Sequence, residues 1–322
     1  MAETPRILLH NDDTTSLAPQ LRKAFPQAEF AVCNSYEALP ALIDNYQPEV
    51  VYSVRFAGTP GFPRDALFGP KGPRWVSNGG AGTDHYGQWD PQRTIVTNAA
   101  GVAAEMMAEY VLGGFLHFSL DIPGLQRDKT LRVWNARTLI PLAGKTLLVV
   151  GLGNTGRAVA KRAKAFGMTV LGTRAHPQMM ENIDEVHASE NLHALLPRAD
   201  FISISTPLIP ATRGLIGKAE IAAMKPGVIF ADVSRGGVVD QSALHDALKT
   251  GHVAGAALDV FETEPLPEND PLWKLDNLII SPHCSSIYAE WERASFRLFL
   301  ENLGRWVRGE ALLNIVDPAR GY

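Results

Sequence analysis

Cysteine is nearly missing from this chain. Its 322 residues include only Cys33 and Cys284. Two thiols cannot build a disulfide framework, and the simple reading is reduced cysteines in a cytoplasm. An export signal is also missing: Met-Ala-Glu-Thr-Pro-Arg carries an acid and runs straight into Ile7-Leu8-Leu9, which reads as a first strand rather than the apolar core of a signal peptide. No apolar run is clean enough for a membrane span. The best candidate, residues 103–120, is interrupted by Glu105 and Glu109 and reads as a long buried helix. There is no basic excess: 30 Lys and Arg stand against 34 Asp and Glu, a net charge of −4, which makes nucleic acid a poor partner. No internal repeat or low-complexity segment stands out, and no metal site is read.

The chain exceeds the usual size of one core, so two domains are expected, and its 46% hydrophobic content can fill both. Short apolar runs alternate with helical patterns. Arg6–Leu9, Val50–Val54, Arg74–Ser77 and Ile95–Thr97 read as buried strands, as do Phe201–Ser205, Val228–Val233, Gly255–Val260 and Leu278–Ser281. Strands alternating with helices imply α/β architecture, with doubly wound parallel sheets covered on both faces. Gln241–Thr250 reads as a helix with Asp240 as N-cap and Gly251 just past its end.

The clearest unit follows Trp134. Lys145–Val150 is a strand, Gly151-Leu152-Gly153-Asn154-Thr155-Gly156 a turn, Arg157–Phe166 a helix and Met168–Gly172 the next strand. A lone GxGxxG says little, but one placed between strand and helix meets the requirement of a dinucleotide site. Gly151 permits the tight turn, Gly153 lets a pyrophosphate approach, and Gly156 lets helix and strand pack closely. The helix N-terminus then offers its unsatisfied N–H groups to the phosphates. NAD sites usually carry an acid at the end of the second strand; here the chain reads Thr173-Arg174, with no acid from Gly167 to Met180. A guanidinium at Arg174, helped by the Thr173 hydroxyl, suits a 2′-phosphate, so NADP(H) is the expected cofactor. The other reading makes Arg174 a surface residue, with NAD(H) bound instead.

Further on, Ala231-Asp-Val-Ser-Arg-Gly-Gly-Val-Val-Asp240, Gly255-Ala-Ala-Leu-Asp-Val-Phe-Glu-Thr-Glu-Pro-Leu-Pro267 and Ile280-Ser-Pro-His283 follow in order. With the glycine turn and Thr206-Pro207-Leu208, this set closely resembles the D-isomer-specific 2-hydroxyacid dehydrogenase family, and within it the NADPH-dependent glyoxylate and hydroxypyruvate reductases. The resemblance implies a catalytic set of Arg235, Glu264 and His283. Reduction of a 2-keto acid needs a hydride at carbon and a proton at oxygen. A histidine can supply the proton, a glutamate can orient the ring and favour its charged form, and an arginine can hold the substrate carboxylate and polarise the carbonyl. Thr206, Pro207 and Val233 would neighbour the cofactor, and Thr212 would cap a helix or loop. Asp259 is grouped with them as a structural residue, or as one that tunes Arg235 or the cofactor site at second hand.

In the N-terminal part, Ser77-Asn-Gly-Gly-Ala-Gly-Thr-Asp84 resembles the family's substrate loop, where the N–H groups of Gly80, Ala81 and Gly82 could grip a carboxylate. Arg55 either adds charge to the pocket or lies on the surface. Plain packing is the favoured reading of Trp134. Two departures stand out: Cys284-Ser285-Ser286 replaces a small apolar step after the histidine, and Asp232 stands where the family usually has Asn.

The family implies a Rossmann cofactor domain, residues 100–285, inserted in a flavodoxin-like substrate domain, 1–99 plus 286–322, with hinge closure on ligands. It also implies a homodimer through the helix from Ala103 and the basic segment after it. The partners expected are a small 2-keto or 2-hydroxy acid, no nucleic acid and no membrane. The competing class is a dinucleotide-sensing corepressor of the same fold, which would be expected to carry extra tails. Phosphoglycerate dehydrogenases often carry a regulatory domain for which 322 residues leave no room, and formate dehydrogenases have Gln where this chain has Glu264.

Overall fold

A computed structural model describes residues 5–56 and 59–318; the chain start Met1–Thr4 lies outside them. The chain divides into two units, Met1–Val102 with Tyr288–Tyr322, and Ala103–Ile287. These borders fall two or three residues after those expected from the sequence.

Unit 1 holds a five-stranded parallel sheet in the order β2-β1-β3-β4-β5. Its strands are β1 Ile7–His10, β2 Phe30–Cys33, β3 Val50–Ser53, β4 Trp75–Asn78 and β5 Ile95–Thr97. Helices α1 Leu17–Ala24, α2 Leu39–Tyr46 and α3 Arg64–Phe68 connect them. On one face Leu17 and Leu21 of α1 meet Ile7, Leu9, Trp75 and the aromatic residues Phe296 and Phe299, which arrive from the far end of the sequence. On the other, Leu39, Ile43 and Leu67 of α2 and α3 cover Leu8, Val51 and Val76.

Unit 2 is contiguous. Its helices are α4 Ala104–Ser119, α5 Ile122–Leu131, α6 Asn154–Ala165, α7 Leu192–Leu195, α8 Lys218–Ala223 and α9 Gln241–Thr250; the last helix of the chain, α10 Trp291–Arg308, returns to unit 1. The strands are β6 Thr146–Val150, β7 Thr169–Thr173, β8 Glu185–His187, β9 Phe201–Ile204, β10 Val228–Asp232, β11 Val253–Leu258 and β12 Leu278–Ile280. All pair parallel, in the order β12-β11-β10-β9-β6-β7-β8. Period-two alternation sends Leu147 and Val149 to the face covered by α4 and α6, and Leu148 and Val150 to the face covered by α7, α8 and α9.

Local rules explain the boundaries. Asp240 caps α9 by accepting the Ala243 N–H at 2.9 Å, and Gly251 ends it at φ +77°. Helix α6 begins at Asn154, three residues before the position expected, because the glycine turn itself supplies the first helical turn. Strands β2 and β8 have no counterpart among the sequence-based expectations. Both are sheet edges and only partly buried; β8, Glu-Val-His, carries no apolar run, and β2, Phe-Ala-Val-Cys, is a run of only four residues.

Trp134 corrects its expectation. It is fully exposed, at 102%, in a segment after α5 where Val133, Leu139 and Ile140 are exposed as well, as is Leu131 at the end of α5. The segment is tied at its base by Arg137, which bridges Asp121 and Asp128.

Candidate active site

The candidate residues of unit 2 line one edge of its sheet. Parallel strands put all their C-terminal ends on the same edge, where α/β ligand sites form. Reading across the strand order, this edge carries His283 after β12, Glu264 after β11, Arg235 after β10, Thr206 after β9, the glycine turn after β6 and Arg174 after β7.

The glycine turn has the shape a dinucleotide needs. Gly151 sits at φ +98°, and a β-carbon there would come within 2.9 Å of the Ser205 carbonyl oxygen. A β-carbon on Gly156 would strike the Gly151 carbonyl oxygen at 2.0 Å, while Gly153 opens onto free space. The N–H groups of Gly151 and Leu152 both donate to Thr173 O, at 3.2 and 3.1 Å, which ties the turn to β7. Gly153 is the N-cap of α6 and offers no side-chain cap, so the helix N-terminus stays available to an anion. Asn154 accepts from Arg157 Nη2 at 2.6 Å, and Thr155 Oγ1 lies 3.7 Å from Met107 Sδ. Leu152 turns inward, 4% exposed, against Gly172. These residues fit a dinucleotide.

Thr173 is buried, and Arg174 follows it, partly buried, with Nη1 3.3 Å from Met180 Sδ. Thr206 Oγ1 is buried without a hydrogen-bond partner among the described residues. Thr212 caps the loop after β9, donating to Pro207 O at 2.5 Å and accepting the Ile209 N–H at 2.9 Å. Val233 is buried, and its N–H is held by Ile204 O at 3.1 Å.

His283 and Glu264 meet directly: His283 Nδ1 lies 2.8 Å from Glu264 Oε2. Glu264 Oε1 accepts the Phe261 N–H at 3.0 Å, which fixes the carboxylate at both oxygens. Burial pushes the Glu264 carboxyl up, but the His283 and Phe261 hydrogen bonds and the nearby positive charges outweigh it and hold the group below its ordinary value. It is therefore an anion at neutral pH, which fixes Nδ1 as the proton-bearing nitrogen and leaves Nε2 for a reacting group. On the neighbouring turn Arg235 Nη1 donates to Ser234 O at 2.7 Å.

Asp259 anchors the His283 loop. It is 1% exposed. Its Oδ1 takes Ser281 Oγ at 2.6 Å and the Cys284 N–H at 2.8 Å; the Ser285 N–H reaches both oxygens, at 3.0 and 3.1 Å, and Ser285 Oγ donates to Oδ2 at 2.5 Å. The grip falls on both sides of His283, whose φ of +52° is a strained choice for a side chain that is not glycine. Tyr110 of α4, which motif reading missed, lies 2.8 Å from Ser281 Oγ. A buried acid followed by Ser-Pro-His-Cys-Ser was the available signal, since such an acid must find several donors.

In unit 1, Gly80, Ala81 and Gly82 follow β4. Asn78 Nδ2 holds the carbonyls of Gly80 and Gly82, at 2.9 and 2.8 Å, and Asn98 Nδ2 holds that of Ala81 at 2.7 Å. The carbonyls are thus committed, while the three N–H groups make no hydrogen bond within the described residues. Arg55 is exposed beyond the end of β3.

Comparison with known proteins identifies relatives of this chain. A glyoxylate reductase of Korarchaeum cryptofilum is 37% identical over 232 residues, 69% of each chain. A D-3-phosphoglycerate dehydrogenase of Methanocaldococcus jannaschii is 39% identical over 226 residues, 69% of this chain but 43% of that one, so the chain spans less than half the length of that relative. A solved D-isomer-specific 2-hydroxyacid dehydrogenase of Xanthobacter autotrophicus Py2, in complex with NADPH and MES, superposes with a TM-score of 0.85 at 32% identity, covering 99% of this chain and 100% of that one. The family model for the D-isomer-specific 2-hydroxyacid dehydrogenase NAD-binding domain matches residues 114–285, more than half of the sequence. The chain therefore belongs to the D-isomer-specific 2-hydroxyacid dehydrogenase family.

Proposed function

We propose that this chain reduces a small 2-keto acid, of the glyoxylate or hydroxypyruvate kind, to the D-2-hydroxy acid, with NADPH preferred over NADH. The observation that carries the reading is the His283–Glu264 contact at 2.8 Å, on the same strand edge as Arg235 and the glycine turn. A nicotinamide dinucleotide held at the glycine turn would supply the hydride for the carbonyl carbon. His283 delivers its proton from Nε2 to the carbonyl oxygen as that oxygen gains charge, and Glu264 holds the ring through Nδ1. Arg235 grips the substrate carboxylate and polarises the carbonyl. The N–H groups of Gly80, Ala81 and Gly82 form a second anion-binding group, in unit 1.

NADPH preference rests on Arg174 at the end of β7, with no acid between Gly167 and Met180 to repel a 2′-phosphate. The NADPH carried by the Xanthobacter structure adds support. The exposed apolar residues around Trp134 support a homodimer that covers them, and a sedimentation mass equal to one chain would exclude it. The two free cysteines fit a cytoplasmic setting.

The test is kcat/KM with NADPH and NADH across glyoxylate, hydroxypyruvate, pyruvate, phenylpyruvate and 3-phosphohydroxypyruvate. Turnover of a small keto acid favouring NADPH is expected. A best rate with the phosphorylated acid would move the substrate to that of the Methanocaldococcus relative. Tight dinucleotide binding with no turnover would favour the sensor reading.

A further inference from the structure

The turn after β4 gives up every carbonyl from Gly79 to Gly82 to donors of unit 1. Gly79 O receives Ser295 Oγ of α10 at 2.7 Å. Gly80 O receives Asn78 Nδ2 and the Ala99 N–H, both at 2.9 Å. Ala81 O receives Asn98 Nδ2 at 2.7 Å, and Gly82 O receives Asn78 Nδ2 at 2.8 Å. Both asparagines are buried, so water does not share the task. Neither amide can be turned round. Asn98 Oδ1 accepts the Ala100 N–H at 3.1 Å, and Asn78 Oδ1 accepts the Tyr86 hydroxyl at 3.1 Å. A backbone N–H only donates and a backbone carbonyl only accepts, so each Nδ2 must face the turn.

Peptide geometry converts these anchors into direction. In a trans peptide unit the carbonyl of one residue and the N–H of the next point opposite ways, and every unit of this turn is trans. Holding the Gly79, Gly80 and Ala81 carbonyls therefore aims the Gly80, Ala81 and Gly82 N–H groups away from the donors that hold them. Each anchored carbonyl also polarises its peptide unit, which strengthens the opposite N–H as a donor. Close packing keeps the turn in place: a β-carbon on Gly79 would come within 2.6 Å of Val54 Cγ2 and 2.7 Å of the Tyr52 hydroxyl oxygen.

We propose that Asn78 and Asn98 are positioning residues for the substrate: their side-chain amides hold this turn by its carbonyls and so present its N–H groups to the substrate carboxylate. This rests on the reading of the Gly80, Ala81 and Gly82 N–H groups as an anion-binding group. Neither asparagine touches the carboxylate; each acts through the peptide units it holds.

The experiment is steady-state kinetics of the full chain at saturating NADPH: kcat and KM for glyoxylate, and Ki for oxamate, an unreactive carboxylate of similar shape. Asn98→Ser separates the two tasks of that side chain. The serine hydroxyl can keep the Ala100 N–H, two residues on, but is too short to reach Ala81. KM and Ki should both rise about tenfold, the size of one weakened hydrogen bond to a charged group. The kcat should move far less, because substrate and transition state carry the same carboxylate. Asn78→Ser, which releases two carbonyls, should act in the same direction. A folded Asn98→Ser with KM and Ki at wild-type values overturns the proposal, since the asparagine would then serve the fold alone; so does a fall in kcat with both constants level. Should Asn98→Ser not fold, Asn78→Ser decides by the same two constants. Ala81→Pro removes one of the three N–H groups and leaves both asparagines in place. Raised KM and Ki there, beside unaltered values in Asn98→Ser, would sink the asparagines' role and spare the anion-binding reading. Unaltered values in Ala81→Pro would sink that reading itself.

Discussion

Unit 1 and unit 2 are both parallel sheets sandwiched by helices, yet they prepare for ligands in different ways. Unit 2 places ionisable side chains on the turns after its strands: Arg235, Glu264, His283 and Arg174. Unit 1 offers backbone N–H groups at Gly80–Gly82, over a core dense in aromatic rings, where Trp75, Phe299 and Tyr52 pack with centroids 5.1 to 5.5 Å apart. One unit concentrates charge and pays for it in buried acids and a strained loop; the other uses main chain and spends its side chains on packing. Mutations in the two should therefore fail in different ways.

The sharpest test of that contrast is His283→Asn. Asparagine tolerates the left-handed conformation at this position, so the loop should persist while kcat falls about 10²–10⁴-fold. NADPH affinity and Tm measured alongside should hardly move; a collapsed Tm would mean the histidine is a structural element. The counterpart in unit 1 is Phe299→Ala. This side chain is 1% exposed, and its removal should cost about 3–5 kcal/mol in denaturant unfolding, with NADPH binding to the folded protein retained.

The third test uses pH. Asp232 is raised in the folded state to about 7, above the ordinary aspartate value. Its stabilising contribution is therefore full below that ordinary value and is lost as pH rises through about 7. Asp232→Asn should gain stability over wild type between about pH 5 and 8, by on the order of 2–4 kcal/mol. Equal Tm differences at both ends would show that the acid does not titrate. A further test is Asp259→Ala, which leaves the donors of Ser281, Cys284 and Ser285 unserved at a cost of about 1–3 kcal/mol for each one that finds no other acceptor. Because the disturbed loop carries His283, kcat should fall too, even though Asp259 need not touch substrate.

The same contrast explains what could be read from the sequence. The chemistry of unit 2 demands particular side chains at particular spacings, so the glycine turn, Arg235, Glu264 and His283 stand out as letters. Their strands are apolar on both faces and equally visible. A main-chain site leaves only glycines as a trace, and the asparagines that pin Gly80–Gly82 look like ordinary loop residues. Strand β8 leaves no apolar trace because an edge strand needs only one covered side, and β2 leaves a short one, four residues long. The double grip of Asp259 was hidden because it depends on how the loop after β12 folds back across β11, which no local pattern encodes. Trp134 misled because a large aromatic residue normally implies a pocket in its own chain, and the described residues supply none.

Unit 1 is also discontinuous, and that orders its assembly in time. Its strands leave the ribosome first, but Phe296, Phe299 and Leu303 of α10, which close one face of the sheet, emerge roughly two hundred residues later, a delay of about 10–40 s at about 5–20 residues per second. Unit 2 is complete in itself and can collapse during that interval. The nascent N-terminal sheet meanwhile shows an uncovered apolar face around Trp75, so chaperone dependence during synthesis should concentrate there, and a stalled or truncated chain lacking α10 should expose the same face to aggregation.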